Sequence, residues 1–330
     1  MLTRRAFTQL ALTGLAAPFV PSALAQPTAT LDQALAALDQ LHSIQVQLGD
    51  EVIVAEAPRG PGLERLANIK SCSKSVVALL LGTCIARGEI PSVTSRLVEV
   101  SPSIVPPEAT EGVDEVTMED LVTLQAGLES TSGERYGAWV ASPNWVADAL
   151  TRPMVADPGG RMIYSTGTTH VLGAALAEAS GQSLLRLARQ RLGEPLGFEV
   201  PPWVRDPQGY YLGGNEMALT PRAMLSLALL MRDAGRFDGR QVIPADWIRA
   251  SIVPRGRSPY SGMGYGYGWF ISDSGFVLAR GYGGQIIAAH SELDLAVAIT
   301  SDPNRPARSE GYFGDLMGLL EGPIRQLANQ

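Results

Sequence analysis

The run IKSCSKS, residues 69 to 75, holds the only two lysines of the chain, Lys70 and Lys74; the remaining basic positions are all arginine. Ser71 and Lys74 stand three apart. On a helix that spacing puts both side chains on one face, with Cβ atoms about 5 to 6 Å apart. A serine hydroxyl is a poor nucleophile at neutral pH and needs a base within hydrogen-bond reach. Lysine serves as that base once it is buried, because desolvation disfavours the ammonium and lowers its pKa. The run that follows, VVALLLG, is apolar enough to bury it. Arginine cannot substitute, since its guanidinium keeps its proton at any biological pH. Near a helix N-terminus the backbone N–H of Ser71 is also free to serve in an oxyanion hole. The chemistry this points to is acyl transfer through Ser71 with Lys74 as base. Lys70 has no role that follows from its type or position.

Other chemistries find less support. The three histidines, His42, His170 and His290, have no metal-ligand spacing and each reads as a structural residue. There is no G-x-S-x-G elbow, no H-E-x-x-H and no G-x-x-x-x-G-K-[ST], so neither a metal nor a cofactor is expected. The glycine-rich run SGMGYGYGWF fits no phosphate loop. Cys72 and Cys84, if both on the helix that begins near Ser71, lie about 18 Å apart at about 1.5 Å per residue, beyond disulfide reach. They read as free thiols packed in a core.

The elements that must position Ser71 follow from periodicity. LDQALAALDQLHS (31 to 43) has helical spacing, with His42 near its end, and IQVQLGDEVIVAEA (44 to 57) alternates around Gly49-Asp50 as a hairpin. From 70 to about 255 the pattern is mainly helical, broken by Gly, Pro and long loops. Strand patterns return in YGYGWFISD, GFVLARGYGGQIIAAH and DLAVAITSD, and a helix closes the chain from about 312 to 327. This predicts an α/β fold of the α+β type: an antiparallel sheet built from both chain ends, flanked by terminal helices, with a large mostly helical domain between. The expected division is 26–69 with 256–330 for the sheet domain and 70–255 for the helical domain, with the active site at their seam.

The chain is acidic, with a formal net charge of −7, and carries no long run of one sign. Such a surface repels nucleic acid, so small molecules are the expected partners. The start, MLTRRAFTQLALTGLAAPFVPSALAQP, has Arg4-Arg5, an apolar stretch of eleven residues and an A-x-A site at 23 to 25. It resembles a twin-arginine export signal over 1–25, and its apolar stretch is short of the roughly 20 residues needed to span a bilayer. A periplasmic protein without stable membrane insertion after signal cleavage is the expectation.

Several boxes in order give the chain a resemblance to the serine β-lactamase and penicillin-recognising superfamily, in its class C-like branch with carboxylesterases and 6-aminohexanoate-dimer hydrolases. IKSCSKSVVALLLG is similar to the first box, PGGRMIYSTGTTHVLGAALAEASGQSL to the second, and ARGYGGQIIAAHSELDLAVAITSD to the third and its hairpin. The resemblance implies a β-lactamase/transpeptidase-like fold and a Ser71, Lys74, Tyr164 catalytic set, with Tyr164 moving the proton either as phenolate or through Lys74. It implies an oxyanion hole from the backbone N–H groups of Ser71 and Tyr282. Two positions depart from the family pattern: Thr166 stands where Y-x-N has asparagine, and Ala279-Arg280-Gly281 stands where K-T-G or H-x-G is usual. Without the K-T-G lysine, ester or linear-amide hydrolysis is favoured over β-lactamase or D,D-/D-amino-peptidase activity, unless Arg280 turns into the cleft. Tyr136, Trp139, Trp145, Thr166, Arg280, Gly281 and Gly283 are the candidate pocket residues. A non-catalytic ligand-binding protein on the same fold is the reading from another class.

Overall fold

The computed structural model of the chain describes residues 30–329; the export signal expected at 1–25 lies outside them. The hairpin expected around Gly49 is formed by β1 (Leu41–Leu48) and β2 (Glu51–Glu56), with Gly49 in left-handed backbone at the turn. Six further strands come from the other end of the chain: β3 (Gly256–Arg257), β4 (Gly264–Tyr265), β5 (Phe270–Ile271), β6 (Val277–Gly281), β7 (Gln285–His290) and β8 (Leu295–Ser301). They complete one antiparallel sheet in the order β2-β1-β8-β7-β6-β5-β4-β3. The two ends meet where β1 pairs with β8, Val46 opposite Val297.

The first helix, α1, covers only Leu31–Ala37, shorter than the apolar spacing of 31 to 43 suggests. Thr30 and Gln33 close its N-terminus as a reciprocal capping box. Leu41, His42 and Ser43 are strand instead, because pairing with β8 outweighs the local period: the buried Ser43 and Thr300 hydroxyls bond at 2.6 Å. His42 therefore lies on a strand and not near a helix end.

Side-chain alternation gives the sheet two different faces. One presents Ile44, Val46, Leu278, Ile286, Val297 and Ile299 to Leu35 of α1 and to Phe313 and Leu316 of the C-terminal helix (Tyr312–Leu319). The other is mostly alanine, with Ala279, Ala289, Ala296 and Ala298. Small side chains there let the helices of the middle region approach closely, above all α4 (Pro221–Arg232), which packs on β7 and β8. At the centre of that layer runs α2 (Ser73–Ala86), whose residues from Ser73 to Cys84 are all buried. A helix apolar around its whole circumference must be enclosed, and α3 (Thr166–Ser180) supplies one side of the enclosure. No described helix is long and apolar enough to cross a membrane.

Candidate active site

Ser71 lies in a single 3-10 turn, Lys70–Cys72, that runs directly into the N-terminus of α2. Two features fix the turn. Before it, Ala67–Asn68 pairs with Ala218–Leu219, and the Ile69 N–H donates to Met217 O at 2.9 Å. At its first position, Lys70 holds left-handed backbone, φ 51°, a conformation that costs a non-glycine residue about 1 to 2 kcal/mol. Its N–H donates to Asn68 Oδ1, its carbonyl accepts the Ser73 hydroxyl, and its Nζ meets Glu216 Oε1 at 3.1 Å. The second carboxylate oxygen of Glu216 accepts from Asn68 Nδ2 at 2.6 Å. Lys70 thus has a structural reason that its sequence position did not reveal: it anchors the turn that carries Ser71.

Lys74 is buried one helical turn further on. Its Nζ donates to Gly214 O at 2.7 Å and to the Thr166 and Ser71 hydroxyls, each at 3.3 Å. Burial lowers its pKa to about 7, with only the weak field of Cys72 opposing. At neutral pH a large share of the side chain is therefore a free amine with its lone pair within reach of Ser71. The Cys72 thiol is pushed well up by burial and donates to Gln285 O, and Cys84 is raised to about 12; both are free, buried and inert, as expected.

Tyr164 sits just ahead of α3, with the Lys74 nitrogen over its ring face, 4.9 Å from the centroid. The residue as a whole keeps some exposure, yet the dense surroundings of the phenol push it up to about 12, the Ser71 hydroxyl and the Arg280 charge acting in the opposite sense. At working pH the tyrosine keeps its proton. A neutral phenol beside a half-neutral lysine can relay a proton, and it cannot act as a standing phenolate base.

β6 passes directly against the Ser71 turn. Gly281 permits this, since a Cβ there would come within 2.4 Å of Ile69 O. Tyr282 follows it at the tip of the β6–β7 hairpin with its ring half exposed. Among the described residues no hydrogen bond uses the N–H of either Ser71 or Tyr282. Gly283 has a packing reason to be glycine: its backbone is left-handed, φ 84°, and a Cβ there would strike Asp302 O at 2.3 Å. Arg280 does not turn into the cleft. Its guanidinium donates to Ser309 Oγ and Ala307 O and covers the Phe313 ring at 3.6 Å, on the terminal-helix side of the sheet. Burial brings its pKa down to about 10.

The remaining pocket candidates divide. Thr166 joins the site, bridging Lys74 and the Ser132 hydroxyl, which also accepts the Thr166 N–H at 2.9 Å. Tyr136 is half-buried and its hydroxyl accepts from Asn215 Nδ2 at 3.2 Å, one residue from the carbonyl that holds Lys74. Trp139 and Trp145 are core residues and line no acyl pocket: Trp139 is 0% exposed, their rings pack 5.3 Å apart, and each indole N–H is spent on a backbone carbonyl. Ser132, Gly214, Asn215 and Glu216 belong to the site although neither type nor spacing marks them. The Gly-Gly-Asn-Glu run at 213 to 216 is the only visible trace of the last three in the sequence.

Over residues 46–317 the chain matches the family Beta-lactamase, and it belongs to that family. None of the curated proteins matches it in sequence. Among solved structures it is similar to a provisionally named 6-aminohexanoate-dimer hydrolase from Bacillus anthracis, with TM-score 0.73, 16% identity, and 88% of this chain and 79% of that one covered. It is similar to EstCE1, a hydrolase with promiscuous acyltransferase activity, at TM-score 0.73 and 16% identity over 88% and 96% of the two chains. A family VIII carboxylesterase matches with TM-score 0.68 and 15% identity over 88% and 95%. At such identities the likeness is one of fold, and it agrees with the architecture expected from the sequence.

Proposed function

We propose that this serine hydrolase of the β-lactamase fold cleaves a neutral ester, and more slowly a linear amide, through an acyl enzyme on Ser71. The observation that carries the reading is the buried Lys74 amine, 3.3 Å from Ser71 Oγ and close to half neutral at pH 7. In the first half-reaction Ser71 Oγ attacks the carbonyl carbon while its proton passes to Lys74 Nζ. The oxyanion is held by the N–H groups of Ser71 and Tyr282, and the proton travels on through Tyr164 to the departing alkoxide or amine as the C–O or C–N bond breaks. In the second, water attacks the acyl ester, Lys74 takes its proton, and Ser71 leaves with that proton and frees the acid.

The preference for a neutral substrate is supported by what surrounds the site. Lys70 is paired with Glu216 and Arg280 is turned onto Phe313, so neither offers a free cation for a substrate carboxylate. β-Lactamase or D,D-peptidase activity is the second reading, kept by the family membership alone. The twin-arginine-like start supports export to the periplasm, which fractionation of cells expressing the full chain tests.

Incubation with p-nitrophenyl acetate or butyrate is the decisive assay, read by intact mass and by turnover. The expected result is an acyl adduct on the protein that vanishes in Ser71→Ala, together with steady release of nitrophenol. No adduct and no turnover dependent on Ser71 would leave a non-catalytic binding protein as the better account. Rates on 6-aminohexanoate dimer and nitrocefin rank the substrate classes, and fast nitrocefin hydrolysis reverses the preference for neutral esters.

A further inference from the structure

The shortest hydrogen bond that Lys74 makes goes to the carbonyl of Gly214, and that carbonyl has a support of its own. His170 lies on α3 one turn beyond Thr166 and is fully buried. Its Nε2 bonds Asp206 Oδ2 at 3.0 Å, and the Asp206 side chain is also fully enclosed. The other carboxylate oxygen accepts the Tyr210 N–H at 2.8 Å. On its far side the imidazole Nδ1 accepts the N–H of Gly213 at 3.3 Å. Trp139 and Trp145 close the remaining edges, with ring centroids 5.7 and 5.6 Å away.

We infer that His170 is a positioning residue for the base lysine: Asp206 fixes its Nε2–H tautomer, Nδ1 then holds the Gly213 N–H, and this aims the Gly214 carbonyl at Lys74 Nζ. The inference rests on the reading of Lys74 as the base. In a neutral imidazole a carboxylate that accepts from one nitrogen leaves the other as an acceptor, and only an acceptor can receive an amide N–H, as Nδ1 does here. The anchor is needed because of the two glycines. A Cβ on Gly213 would come within 2.3 Å of Thr169 O, so that position must be bare, and one on Gly214 would crowd Thr166 O at 3.0 Å and Lys74 Nζ at 3.1 Å. Two bare residues in succession are also the part of the backbone with most freedom to wander. His170 and the Thr169 contact remove that freedom. The Gly214 carbonyl then engages one N–H of Lys74 and leaves the amine lone pair to Ser71.

The groups facing Lys74 are the Ser71 and Thr166 hydroxyls, the Gly214 carbonyl, the Tyr164 ring and the Cys72 thiol. A carbonyl that accepts from the ammonium favours the charged form, so a loosened Gly214 lowers the lysine midpoint further. With two lysines in the chain, 13C,15N-lysine labelling gives two side-chain titrations, told apart by Lys70→Arg. With three histidines, the imidazole nitrogen spectrum of the unmodified protein resolves each tautomer.

The expected spectrum shows His170 as the Nε2–H tautomer with Nδ1 bare. His170→Gln keeps a donor for Asp206 and removes the acceptor for Gly213. It is expected to lower the Lys74 midpoint by about half a unit and kcat by about tenfold, with KM little changed. His170→Asn replaces Nδ1 with an acceptor and abandons Asp206. It is expected to melt at a lower temperature and yet restore the lysine midpoint and most of kcat. The opposite tautomer in the unmodified protein overturns the inference, whether or not the variants fold. So does a folded His170→Gln with an unmoved midpoint, or a pair of variants whose kcat simply follows their melting temperature. A midpoint that shifts in His170→Gln while kcat does not follow overturns the base role of Lys74 and upholds the support of Gly214.

Discussion

Lys70 and Glu216 form an ion pair at 3.1 Å that joins two residues in left-handed backbone, φ 51° and 65°. One precedes Ser71 and the other follows the Gly214-Asn215 step, so the pair ties the turn bearing the serine hydroxyl to the loop bearing the lysine's carbonyl partner. Both side chains are less than a third exposed. Charge-assisted contacts in such a setting hold the strained backbone of each residue in place, which neither does by its own propensity.

Glu216→Gln removes the charge and keeps the shape. It is expected to cost on the order of 1 kcal/mol of stability and to slow ester turnover by about threefold to tenfold, mostly in kcat. Thermal unfolding and steady-state kinetics on a p-nitrophenyl ester check this. An unchanged melting temperature with unchanged kcat means that the pair is incidental.

The lowered pKa of Lys74 links activity and stability with a definite sign. The folded value is about 7 against an ordinary 10.5. Between these values the unfolded chain binds more protons than the folded one, so this group makes stability rise with pH across that window and contributes its full penalty below it. Esterase kcat/KM is expected to climb through pH 7 as the amine loses its proton. Lys74→Met carries no charge to bury, so its melting temperature, measured relative to the parent, is expected to fall back steadily from pH 7 to 10. A constant difference across that range contradicts the buried-amine account. Lys74→Arg keeps the cation, cannot deprotonate, and is expected to lose about a thousandfold or more in kcat.

Much of this site was legible because its signals are local or periodic. Ser71 and Lys74 announce themselves by a three-residue spacing before an apolar run, and the sheet by alternation at both ends of the chain. What stayed hidden depends on partners far along the chain. Lys70 looked accidental because its explanation, Glu216, is 146 positions away. Gly214 acts through a carbonyl, which no residue type advertises. Trp139 and Trp145 invited a pocket reading because large aromatics near a cleft and large aromatics in a core look alike in sequence. Arg280 sits one position from the strand face it was asked to serve, and alternation sends it to Phe313.

Tyr164 is expected to act as a neutral proton carrier, since burial holds its phenol near 12. Tyr164→Phe should lower kcat by about a hundredfold to ten-thousandfold and leave the rise through pH 7 in place, because that limb belongs to Lys74. In the parent enzyme no limb from a tyrosine is expected below about pH 10. A Tyr164→Phe variant with full activity removes the tyrosine from the proton path. A parent profile with a tyrosine limb near neutrality restores the phenolate reading.

Gly281 sets how closely β6 approaches the Ser71 turn. An alanine there would place Cβ 2.4 Å from Ile69 O and 2.9 Å from the Gln285 Cβ, so the strand or the turn must give way. Backbone atoms cannot swing aside as a side-chain tip can. Gly281→Ala is expected to cost about 1 to 3 kcal/mol of stability and to depress acylation, because the same movement separates the Tyr282 N–H from the Ser71 N–H. Gly318, in the C-terminal helix with open space around it, is the control. Gly318→Ala should stabilise by about 0.5 to 1 kcal/mol and leave turnover as it was. Differential scanning calorimetry and the pre-steady-state burst of nitrophenol read the two effects separately. A Gly281→Ala protein with a normal burst and a normal melting temperature means that β6 does not lean on the turn and that the oxyanion hole needs another second donor.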